Sequence, residues 1–86
     1  MEELKALRKE IDQIDTQILE LLSKRFRVIK KIGKTKHKLG LKVRDTKREQ
    51  ELLDRITKKA QTLQVEEETV AKIWKSLFKL AYRVEK

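Results

Sequence analysis

The chain has no cysteine and no proline, and only two glycines in 86 residues. Without thiols there is neither a disulfide framework nor thiolate chemistry, and the single histidine, His37, cannot build a metal site unaided. No apolar run approaches the roughly 20 residues of a membrane span, and the acidic start, Met1-Glu2-Glu3, lacks the basic residues of a secretory signal. The expectation is a soluble, cytoplasmic protein with no membrane partner.

What is abundant is charge. Charged residues make up 43% of the chain and hydrophobic ones 38%, which with so few helix breakers favours long helices. The length fits one small domain, 1–86, near the size at which a single core only just outweighs chain entropy. The net charge of +9 is concentrated: from Lys24 to Arg48 there are twelve Lys or Arg against one acid, Asp45. Such a stretch favours an anion, either nucleic acid or a small polyanion. A solvated helix surface, whose cations complement the C-terminal end of the helix dipole, accounts better for most of these lysines.

Apolar residues recur from Leu4 in alternating steps of three and four, through Leu7, Ile11, Ile14, Ile18 and Leu21. Arg25 then stands where the next apolar residue belongs, before Val28, Ile32 and Leu39 resume the seam. An unpaired cation in such a stripe is costly, so Arg25 either reaches water over a packed stem, pairs with a carboxylate of the fold, or meets an anionic ligand. The seam predicts one helix to Leu39, closed by Gly40 with Leu41 placed for the accompanying apolar contact. At about 1.5 Å per residue, that helix is close to 55 Å long.

A second helix is predicted to begin at Asp45 or Thr46, since Thr46-Lys47-Arg48-Glu49 fits a capping box and Asp45 competes as N-cap. Its apolar face is Leu52, Leu53, Ile56, Ala60 and Leu63. A poorly marked break at about residues 63–66 leads to a third helix bearing Val70, Ile73, Trp74, Leu77, Ala81 and Val84, in which Trp74 and Phe78 read as core. The predicted class is all-α, with one long and two shorter helices. The two short helices cannot cover the whole seam of the long one, so an intertwined homodimer is expected.

Arg25 and Lys36 are eleven residues apart, on one helix face and about 16 Å apart along the axis, so a small anion fits between them. Arg48 and Glu49 are placed to close the far side. Arg8 lies roughly 25 Å from Arg25 and about 100° around the helix, so it reaches such a site only from a partner chain.

Four blocks carry a resemblance: Leu7-Arg8-Lys9-Glu10-Ile11-Asp12 with Ile14-Asp15; Leu21-Leu22-Ser23-Lys24-Arg25; Gly33-Lys34-Thr35-Lys36; and Val43-Arg44-Asp45-Thr46-Lys47-Arg48-Glu49. In order and spacing they resemble the all-helical class of chorismate mutases, over nearly the whole chain. The resemblance implies an intertwined homodimer that converts chorismate to prephenate in Phe and Tyr biosynthesis. That pericyclic rearrangement needs no cofactor and no metal. It implies that Arg25 and the partner's Arg8 clamp the substrate carboxylates, and that Lys36 meets a carboxylate and the ether oxygen. The backbone of Asp45 would place the ring hydroxyl, Glu49 would accept its hydrogen bond, and Arg48 would lie near the carboxylates.

Two positions depart from the commonest bacterial pattern. Glu85 stands where many relatives carry a Gln that donates to the ether oxygen, a task a carboxyl group performs only when protonated. Ala81 replaces a small polar residue. Competing expectations are an isochorismate pyruvate-lyase of the same fold and, remotely, a basic nucleic-acid-binding module. Among the cations of Lys24 to Arg48 only Phe26 is aromatic, which argues against nucleic acid as a partner. With no linker or second domain in the sequence, a stand-alone enzyme is expected.

Overall fold

In the computed structural model, which describes residues 1–86, the chain forms α1 (Glu2–Leu39), α2 (Thr46–Thr62) and α3 (Glu67–Glu85). Acidic Glu2 and Glu3 open α1, and Lys36, His37 and Lys38 occupy its last turn, each sign complementing the helix dipole. Gly40 ends it in the left-handed region at φ 67°, with the Leu41 N–H donating to Lys36 O at 2.9 Å and the Gly40 N–H to His37 O at 3.2 Å. This is a Schellman closure. Leu41 is exposed, so the apolar contact expected of it does little.

At the start of α2, Asp45 is the N-cap, its carboxylate accepting from the Arg48 N–H at 3.0 Å. Thr46 is the first helical residue, and the capping box does not form. The end of α2 repeats the closure of α1 without a glycine: Gln64 takes φ 58°, and the Val65 N–H donates to Ala60 O at 2.9 Å. Leu63, expected on the apolar face, is the exposed C-cap instead.

Helix α3 packs against both α1 and α2, which make no comparable contact with each other. The buried positions are Gly33, Ala60, Val70, Ala81 and Glu85, mostly small residues at close helix approaches. Trp74 and Phe78 are only half-buried, contrary to the sequence expectation, because they wall a groove rather than fill a core. Residues 1–21 are exposed throughout, leaving Leu4, Leu7, Ile11, Ile14, Ile18 and Leu21 as a bare apolar stripe on a molecule 57 Å long and 16 Å thin. Covering the exposed half of each would contribute up to about 1.5 kcal/mol. No helix is long and apolar enough to cross a membrane.

Candidate active site

The three helices enclose a groove of about 590 Å³. Six of the seven residues singled out in the sequence line it: Arg25 and Lys36 from α1, Asp45 just before α2, Arg48 and Glu49 in its first turn, and Glu85 at the end of α3. Arg8 does not. It lies on the exposed N-terminal half of α1, as the helix geometry required.

Lys36 is the best anchored of these. Its Nζ donates to Glu85 Oε1 at 2.6 Å and to the Val43 carbonyl, so one ammonium ties α1 to both α3 and the α1–α2 connection. Glu85 is only 8% exposed, and a buried carboxylate needs such a partner. Its main chain is held as well, since His37 Nε2 lies 3.0 Å from the Glu85 carbonyl oxygen. Gly33 makes this approach feasible: a Cβ there would sit 2.9 Å from Glu85 Cα. In the sequence Gly33 stands only within a block of the resemblance, and His37 only as the single histidine.

Arg25 is held differently. Its Nη1 is the one buried side-chain nitrogen or oxygen without a hydrogen-bond partner. Burial pushes the guanidinium pKa below its usual value, and the charge of Glu85 partly offsets that. Arginine stays protonated nonetheless, so the fold keeps a partly dehydrated cation with an unused donor at the wall of the groove.

Among the other lining residues, Arg44 reaches Glu49 at 3.5 Å, and the Asp45 carboxylate is engaged in the cap. Arg44 and Arg55 line the groove too, a contribution that seam and spacing did not reveal. The groove thus holds five cations, Arg25, Lys36, Arg44, Arg48 and Arg55, against the three carboxylates of Asp45, Glu49 and Glu85. The excess of two positive charges suits a dianion, while Val28, Ile32, Leu52 and Trp74 provide apolar walls for a carbon skeleton.

A larger cavity of about 900 Å³ adjoins the groove, sharing Arg44, Glu49, Phe78 and Tyr82, with Lys75, Lys79 and Arg83 also around it. Those cations are all solvent-exposed, as are Arg48 and Arg55 of the groove, so water and salt screen them. The smaller groove is the better-built anion site, because it alone holds the dehydrated donor. It offers no serine, threonine or cysteine as a nucleophile. Its chemical resource is fixed positive charge beside the carboxylates of Asp45, Glu49 and Glu85.

Comparison with known proteins agrees with this geometry. The profile of the family described as chorismate mutase type II matches residues 7–86. The chain is 36% identical over 77 residues to a chorismate mutase of Methanocaldococcus jannaschii, a stretch covering 90% of this chain and 78% of that protein. It is 50% identical over 56 residues to the bifunctional chorismate mutase/prephenate dehydratase of Aquifex aeolicus, covering 65% of this chain but only 16% of that protein. Similarity to the T-protein of Enterobacter agglomerans, 31% over 83 residues, covers 96% of this chain and 22% of the relative.

Proposed function

The chain belongs to the chorismate mutase type II family, an isomerase family, and on that premise we propose that its groove binds chorismate and rearranges it to prephenate in cytoplasmic Phe and Tyr biosynthesis. The observation that carries this reading is the partly dehydrated Arg25 guanidinium, with its Nη1 unpartnered, in a groove with a two-charge cationic excess. Chorismate carries two carboxylates on a largely apolar frame, which matches both features.

In the rearrangement the ether C–O bond breaks ahead of the new C–C bond, and negative charge grows on the ether oxygen. Both changes occur within one molecule, so the protein's task is to hold a compact conformer and stabilise that charge. Arg25 engages one carboxylate with its free Nη1. Arg48, at the mouth of α2, and the partner's Arg8 complete the clamp on the two carboxylates. Lys36 meets a carboxylate and the ether oxygen. Glu85 accepts from Lys36 at Oε1 and so aims the ammonium at that oxygen; a proton on Oε2 would add a second donor toward it. The backbone of Asp45 and the carboxylate of Glu49 receive the ring hydroxyl.

The working unit is an intertwined homodimer. The apolar stripe of residues 4–21 supports this, since nothing in the chain itself covers it. Arg8 is on that same unpaired half of α1, so pairing of long helices carries it to the site of the other protomer. The test is loss of chorismate absorbance with identification of the product. Prephenate supports the mutase reading. Pyruvate released from isochorismate, with chorismate untouched, would replace it by the lyase reading.

A further inference from the structure

Gly33, Lys36 and His37 stand at positions i, i+3 and i+4 of α1, and therefore on one helix face. All three meet the same residue of α3. Gly33 receives the Glu85 main chain, His37 contacts the Glu85 carbonyl, and Lys36 holds the Glu85 carboxylate. A carbonyl oxygen only accepts, so His37 Nε2 is the donor in the 3.0 Å contact.

We propose that His37 is a positioning residue: by fixing the Glu85 main chain, it sets where the Glu85 carboxylate holds the Lys36 ammonium in the groove. This inference rests on the mutase reading for its kinetic consequence, though not for its structural one. Adjacent residues on a helix point about 100° apart, so Lys36 and His37 grip Glu85 from two directions and leave it little freedom to swing. Without the imidazole, Glu85 keeps its seat on Gly33 and its contact with Lys36, but its carbonyl, in the last turn of α3, loses the donor that fixes it. The ammonium then loses a fixed anchor. Such a loss falls on the group that meets the ether oxygen and spares the arginines that hold the carboxylates. It is therefore a loss in kcat more than in KM.

The test compares His37→Ala with His37→Gln, whose amide nitrogen reproduces the Nε2 donor. His37→Ala is expected to lower kcat about tenfold, a part of the ~10²-fold that a 1 Å misplacement can cost, with KM changing less than about twofold. His37→Gln should recover most of kcat. In parallel, the Lys36 ammonium proton–nitrogen NMR correlation, protected from exchange between Glu85 and the Val43 carbonyl, should be visible in the native protein, lost in His37→Ala and restored in His37→Gln. An unchanged kcat and an unchanged ammonium signal in His37→Ala overturn the proposal, as does loss of both that His37→Gln does not restore. If the native protein has no mutase activity, the functional reading fails while the ammonium signal still decides the role of His37.

Discussion

Gly33→Ala puts the close approach of α1 and α3 to a quantitative test. The new methyl carbon would lie 2.9 Å from Glu85 Cα and 3.3 Å from both its Cβ and its carbonyl oxygen. Carbon atoms in good contact stand at least about 3.5 Å apart, so the last turn of α3 must retreat by about 0.6 Å. That lengthens the Lys36–Glu85 contact from 2.6 Å and weakens its hold on the ammonium. Two stability effects oppose each other: alanine gains about 1 kcal/mol of helix propensity, whereas overpacking costs about 1–3 kcal/mol. The retreat falls on a terminal turn, which yields cheaply, so net stability should stay within about 1 kcal/mol of the native value. Turnover should suffer far more, falling about 10- to 100-fold, because in the proposed mechanism Glu85 and Lys36 act on the atom where charge develops. Initial rates of chorismate loss and thermal unfolding at one fixed protein concentration measure both. A variant with native kcat and a raised melting temperature would refute the reasoning, since the helices would then have room for the methyl group.

Arg25→Ala should lower turnover by at least about 10²-fold while stability falls little or rises, because the guanidinium is partly dehydrated and its Nη1 unpaired. Near-native activity with a collapsed melting temperature would make Arg25 a structural residue. Glu85→Gln, whose amide oxygen still accepts from Lys36 and whose amide nitrogen donates, should keep or raise turnover, whereas Glu85→Ala should lower it about tenfold or more. Native turnover in Glu85→Ala would remove Glu85 from the reaction.

The seam and caps of the long helix were legible because each depends on neighbours in sequence: Gly40 closes α1, and Asp45 opens α2. The groove was legible through the resemblance and through Arg25, a charge out of place in an apolar pattern. Gln64 was not, because a non-glycine residue in the left-handed region gives no compositional signal. Nor were Gly33 and His37, whose roles exist only once the end of α3 arrives at α1. Trp74 and Phe78 were misread as core for a related reason. Helical spacing reports which residues face inward, and here inward includes the wall of a groove.

The most direct measurement concerns the shared site. Arg8 lies outside the groove of its own chain and Arg25 within it, so each site in the dimer should take Arg25 from one protomer and Arg8 from the other. Homodimers of Arg8→Ala and of Arg25→Ala should each be nearly inactive. In a mixed dimer, one site keeps both arginines and the other has neither. Unfolding and refolding equal amounts together makes half the dimers mixed, so activity should return to about a quarter of the native value per site. No recovery, with mixed dimers confirmed by mass, would contradict the account by placing Arg8 outside the active site.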